Sequence, residues 1–178
     1  MKKHMVRALL ALPAVIAIVF VSYWLGQEIV AGRSPSLSSF ALIHFAGYLF
    51  FLLMPVEALV PIYQAEGHAG AILIVIAVST AIAGEVIDYC IGRVVSHRVI
   101  HDLIGEESYT RFKGRIKKWG GWAILFFNLF PLSSSVLSLV AGMMRYSARR
   151  ALLYSVAGLT LKYFTIVYLF DLASSWMA

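Results

Sequence analysis

Five apolar runs, separated by short polar stretches, set out the chain. The first, residues 6–26, follows Lys2 and Lys3 and ends near Tyr23 and Trp24. It has the roughly 20 residues a bilayer core demands, with an aromatic pair at interface depth. A cleaved signal peptide would carry a shorter apolar stretch and a small-residue cleavage site, so a retained anchor is expected. Residues 40–62 are apolar but interrupted by Pro55, Glu57 and Pro61. Residues 69–91 are apolar apart from Glu85 and Asp88. Residues 93–118 are polar and basic, with Val94, Val95, Val99, Ile100, Leu103, Ile104, Phe112 and Ile116 recurring on a helical period. That pattern predicts amphipathic helix lying on a membrane surface. Residues 120–144 are apolar, with Asn128, Pro131, Ser133, Ser134 and Ser135 at the middle, and residues 151–172 form the last run, with Lys162 at its centre.

Composition sharpens this picture. The 178 residues are 61% hydrophobic and 13% charged, against about 45–50% and 25% in soluble domains. A soluble globular domain and a disordered chain are both excluded. The length suits a single membrane domain, 1–178, divided into an anchor and loop (1–39), a first repeat (40–92), a linker (93–119) and a second repeat (120–178). The single cysteine, Cys90, rules out a disulfide framework or Cys-based zinc site within one chain.

The net charge of +6 reports topology. If all five runs crossed the membrane, the basic stretch 93–118 would lie outside. If 40–62 and 120–144 instead dip in and return, only Arg33 of the fifteen Lys and Arg stays outside and only Lys162 lies within the bilayer. The positive-inside rule favours the second arrangement, with a cytoplasmic N-terminus in a plasma (inner) membrane. Each hairpin arm would then reach about 15 Å, the centre of the core. The expected fold is an all-α integral membrane protein. It comprises an inverted repeat of two re-entrant helical hairpins, each followed by a transmembrane helix, plus an N-terminal transmembrane helix and a cytoplasmic amphipathic helix. Two facing hairpin tips imply a polar cavity between them, as in many secondary transporters. Pro55, Pro61, Pro131, Gly84, Gly92 and Gly142 are expected to shape the hairpin tips.

Glu57, Glu85, Asp88 and Lys162 fall in or near apolar runs. Each costs about 2.5–3.5 kcal/mol at a helix centre, and together they oppose insertion by roughly 10 kcal/mol unless paired or hydrated. Glu85 and Asp88, three apart, share a helical face. With Glu57 they would form one acidic cluster. Close carboxylates do not both ionise readily, which makes a proton-binding site. Lys162 is the natural partner of that cluster. Plainer alternatives stand beside this. Glu57 would cap backbone at a tip, Glu85 and Asp88 would bridge to Arg93, Lys162 would be a structural counter-ion, and Asn128 with the serines would satisfy broken backbone. His44 reads as a packed or interfacial residue rather than a ligand. His97 and His101 are four apart but sit in the basic run, and no metal site or cofactor is expected.

Gly84-Glu85-x3-Tyr89-x2-Gly92-Arg93 resembles the Gly-Asp-x3-Tyr-x2-Gly-Arg motif of the DedA family, also called the VTT-domain or SNARE-associated Golgi protein superfamily. Pro55-Val-Glu57 resembles that family's Pro-x-Glu. Trp119-Gly120, Pro131, Ala141-Gly142-x2-Arg145 and Gly158 follow its second half in order. The family pattern carries arginines where Asn128 stands and near Ser134. Lys162-Tyr163 resembles the basic residue followed by Tyr in the last span of short members, and would supply the missing positive charge. The resemblance implies two re-entrant hairpins and movement of lipids between leaflets, including undecaprenyl phosphate and phospholipids, linked to proton motive force.

A proton-linked lipid transporter or flippase is therefore the leading expectation. Lys162, Asn128, Ser133, Ser134, Ser135, Tyr89 and Arg93 would contact a membrane lipid substrate. Glu57, Glu85 and Asp88 would carry protons. The basic stretch would meet anionic lipid headgroups, and a homo-oligomer is compatible with the pattern. A small-solute or cation exporter and a non-transporting scaffold for membrane integrity are the alternatives. With no Ser-His-Asp spacing, nucleotide loop or metal-ligand cluster, an enzyme is not expected. Nucleic-acid binding is not expected either, since topology accounts for the basic surplus.

Overall fold

The computed structural model describes residues 36–49, 56–94, 106–130 and 134–177. The expected N-terminal anchor lies outside them, as do Pro55, Pro131, Ser133, His97, His101 and the Ser134 side chain. The elements in order are α1 (Leu37–Leu49), a 3-10 turn (Val56–Ala58), α2 (Leu59–Ala65), α3 (Gly70–Val94), α4 (Glu106–Trp119), α5 (Gly121–Leu129), α6 (Ser134–Met143) and α7 (Ala148–Met177). There is no strand among the described residues.

Two helices are long and apolar enough to cross a membrane, Gly70–Val94 and Ala148–Trp176. At 1.5 Å per residue they extend about 37 Å and 43 Å, beyond a hydrocarbon core of about 30 Å. Both outrun the apolar stretches read from the sequence, because their ends carry polar residues that continue the hydrogen-bond ladder. By contrast α1, α5 and α6 have 13, 9 and 10 residues. At about 14–20 Å none of these crosses alone. Pro61 sits in the first turn of α2, where a missing N–H costs little.

The long helices show an inverted polarity. On α3 the buried stripe is Leu73, Ala77, Ala81, Gly84, Glu85, Asp88 and Gly92, a run of three- and four-residue steps. On α7 the stripe is Ser155, Gly158, Leu159, Lys162, Tyr163 and Val167. Their outer faces carry Ile72, Val75, Val86, Leu153, Phe164 and Leu169, all exposed. Charge is inside and hydrocarbon is outside, the reverse of a water-soluble bundle.

Small residues on α3 let neighbours approach closely. A β-carbon on Gly92 would meet the carbonyl of Leu139, and one on Gly142 the carbonyl of Tyr89. Gly92 and Gly142 therefore make a backbone-to-backbone crossing of α3 and α6, as small residues do between membrane helices. This corrects the expectation that they shape hairpin tips. Gly84 likewise sits in the buried stripe of α3. Gly120, with φ of 55°, turns the chain between α4 and α5 in a conformation that favours glycine.

Two apolar clusters hold the helices. One joins α1, α2, α3 and α7 through Phe40, Val60, Tyr63, Leu73, Ala77 and Leu159. The other joins α4, α5 and α6 through Phe112, Ile116, Ile124, Phe127, Leu137 and Val140. Phe112 and Ile116 are the inward face that the sequence period marked. The opposite face of α4 exposes Arg111, Lys113, Arg115, Lys117 and Lys118.

Candidate functional site

The helical register of α7 turns Lys162 inward, its side chain 5% exposed. Its Nζ lies 2.9 Å from Glu57 Oε1 and donates to the Tyr48 hydroxyl at 2.6 Å. It also lies 5.4 Å and 5.1 Å from the ring centroids of Tyr48 and Tyr163, where aromatic faces attract cations. The hydroxyls of Tyr163 and Tyr48 are 3.2 Å apart. His44 continues the chain, with Nε2 2.6 Å from the Tyr163 hydroxyl and Nδ1 2.8 Å from Thr80 Oγ1. Thr80 donates its proton to the Ile76 carbonyl. Tyr163 donates its hydroxyl proton to Tyr48, and the two ring nitrogens of His44 join the Tyr163 and Thr80 hydroxyls. Ser135 Oγ donates to the Tyr48 carbonyl at 2.7 Å, tying α6 to the same network.

A second cluster lies on the α3 stripe. Glu85, Asp88 and Asn128 are 4%, 1% and 1% exposed. Glu85 Oε1, both carboxylate oxygens of Asp88 and Asn128 Oδ1 have no hydrogen-bond partner among the described residues. Asn128 spends its amide N–H on Ser155 Oγ at 3.0 Å. Ser155, Asn128 and Ser138 are the polar neighbours of Glu85. Ser135 and Glu85 are those of Asp88. A cavity of about 280 Å³ opens beside this cluster, lined by Glu85, Tyr89, Ser138, Arg149, Leu152 and Ser155 among others.

The acidic residues thus divide differently from the expectation. Glu57 does not join Glu85 and Asp88 in one carboxylate group; it pairs with Lys162, because the 3-10 turn carries it to the middle of α7. Asn128 and Ser135 fall in the second cluster. Tyr89 lines the cavity while its hydroxyl donates to the Tyr146 carbonyl. Arg93 is exposed and donates to the Tyr89 hydroxyl at 3.1 Å, rather than bridging to Glu85 or Asp88.

Tyr48, Tyr163, Thr80, Ser138 and Ser155 were not singled out as site residues on chemistry alone. Hydroxyls in apolar helices are common; Ser138, three residues from Ser135, and Ser155, seven from Lys162, stand at a helical spacing from a residue already marked. His44 is packed, as expected, but it is also the central link of the hydrogen-bond chain. Among the described residues no group of three or more His, Cys, Asp or Glu is placed to hold a metal.

Long helices with hydrocarbon outside and ionisable groups inside define an integral α-helical membrane protein. A family model, the VTT domain, matches residues 34–172. The chain belongs to this family, that of the DedA and SNARE-associated Golgi proteins. Comparisons with curated proteins and with solved structures return no match.

Proposed function

We propose that the protein is a DedA-type transporter that moves a phospholipid or polyprenyl-phosphate-type lipid between leaflets, with protons as the linked ion. The observation that carries this is the Glu57–Lys162 pair. It joins the turn before α2 to the middle of α7, inside helices whose outer faces suit lipid. Glu57 is 20% exposed, so a proton can reach it. Protonation removes the counter-charge and frees the Lys162 ammonium for a lipid phosphate; a lysine binds phosphate as a point charge. Deprotonation restores the pair and releases the headgroup. The acyl chains stay on the apolar outer faces throughout.

The packing supports two related halves. Helix α1 packs on α3 and α5 packs on α7, each on the long helix that follows it. Helix α6 crosses to α3, while α2 touches both long helices. That interlocking is what two re-entrant hairpins in an inverted repeat require. The exposed basic face of α4 supports a cytoplasmic surface beside anionic lipid.

Reconstitution into liposomes with fluorescent phospholipid, with and without an imposed pH gradient, tests the proposal. Wild type is expected to move lipid faster under the gradient. Glu57→Gln, which fixes the uncharged state, is expected to lose the pH response. Lipid movement no faster than in empty liposomes under either condition ends the proposal.

A further inference from the structure

We infer that Glu85, Asp88 and Asn128 form a binding site for a hard monovalent cation, with Na+ preferred over K+. Four acceptor oxygens from these residues are buried without a hydrogen-bond partner among the described residues. Asn128 is the independent witness. One amide N–H goes to Ser155 Oγ and the amide lies against Glu85, yet its buried Oδ1 has no partner among the described residues. A buried acceptor without a donor costs about 1–3 kcal/mol, and more when charged. Four in one place is a large deficit for a native interior, where such groups are few. A cation placed among them satisfies all four at once.

The donor set names the class of ion. Only oxygens are offered: two carboxylates, an amide carbonyl and the neighbouring hydroxyls of Ser135, Ser138 and Ser155. Oxygen donors suit hard cations, whereas transition metals favour His and Cys. The other charged and titratable groups near the pair are Lys162 and Tyr163 on α7, with Tyr89 and the exposed Arg149 on the cavity wall. Lys162 is already engaged with Glu57 and Tyr48, while α5 and α6 contribute only neutral polar groups. Two adjacent carboxylates make a strong local field, in which the closer approach of Na+ outweighs its larger dehydration cost relative to K+. The cavity lined by Glu85, Ser138 and Ser155 supplies the route of entry. The cation site lies in a different cluster from the Glu57–Lys162 pair, and binding is read with no lipid moving, so each fails on its own evidence.

Purified protein in nanodiscs is held in choline chloride at constant ionic strength and titrated with NaCl, KCl or CaCl2 while thermal unfolding is followed. Na+ is expected to raise the wild-type midpoint saturably by about 5 °C or more, and K+ to do so only at about tenfold higher concentration or above. Asp88→Asn and Asn128→Ala are expected to lose the Na+ response. Retention of 22Na+ by the wild type needs no variant, and a single ion per chain displaced by cold Na+ is the expected result. Equal, unsaturable effects of Na+ and K+, an unchanged response in Asp88→Asn, absence of 22Na+ retention, or a response to Ca2+ alone would each overturn the assignment.

Discussion

The two buried polar clusters have similar ingredients and opposite bookkeeping. Around Lys162, each polar group meets a complement: ammonium to carboxylate and phenol, imidazole to phenol and threonine, threonine to a backbone carbonyl. Around Glu85 and Asp88 acceptors go unmatched: Glu85 Oε1, both Asp88 oxygens and Asn128 Oδ1 have no hydrogen-bond partner among the described residues. The first cluster is closed and holds α1, the 3-10 turn, α3 and α7 together. The second is open, and it adjoins a cavity. A buried charge is tolerated when its partner is built in, as with Lys162. Where no partner is built in, the site is poised for one that arrives from outside.

The largest expected effect comes from breaking the closed cluster. Lys162→Met leaves Glu57 without its cation and Tyr48 without its donor. Breaking a buried pair costs about 3–5 kcal/mol, and the thermal midpoint in nanodiscs should fall accordingly. Adding Glu57→Leu should recover most of the loss, because the orphaned charge goes with it. A double variant no better than Lys162→Met would mean the pair is not a closed unit.

Next is the α3–α6 crossing that frames the open cluster. Gly142→Ala inserts a methyl group against the Tyr89 carbonyl. Overpacking of this kind costs about 1–3 kcal/mol, read as a lower unfolding midpoint, whereas Gly114→Ala, with open space around it, should lower nothing. Tyr163→Phe should cost a similar amount, about 1–3 kcal/mol, by leaving buried His44 Nε2 and the Tyr48 hydroxyl without the partner they share.

The smallest effect separates the clusters most cleanly, because one kind of substitution has two signs. Glu57→Gln should destabilise by about 1 kcal/mol or more, since a charge-assisted bond to Lys162 is weakened. Asp88→Asn should stabilise by about 1 kcal/mol in Na+-free buffer, since an amide N–H supplies a donor to neighbouring acceptors. Both are read as midpoint shifts under identical conditions. Shifts of the same sign would show that the clusters do not differ in the way proposed.

Much of the frame was legible along the chain. The runs at 69–91 and 151–172 became α3 and α7, and the three-residue spacing of Glu85 and Asp88 put both on one buried stripe. The period of Phe112 and Ile116 marked the inner face of α4. The interruption near Asn128 coincides with the end of α5 at Leu129 and the start of α6 at Ser134. A glycine that admits a neighbouring backbone, as Gly92 and Gly142 do, looks in a string of letters like one that makes a turn.

What the sequence alone determined is what depends on short range: apolar length, helical period, and the presence of charges that hydrocarbon does not tolerate. Those are local properties of the chain and its solvent. Only the tertiary structure decided who satisfies whom. Glu57 and Lys162 are separated by 105 positions, and Thr80, His44 and Tyr163 come from three different helices. Hydrogen bonds and ion pairs act over about 3 Å, a distance that packing of α1, α3 and α7 sets and linear spacing does not. The same packing buried Glu85, Asp88 and Asn128 with four of their acceptor oxygens unpartnered among the described residues.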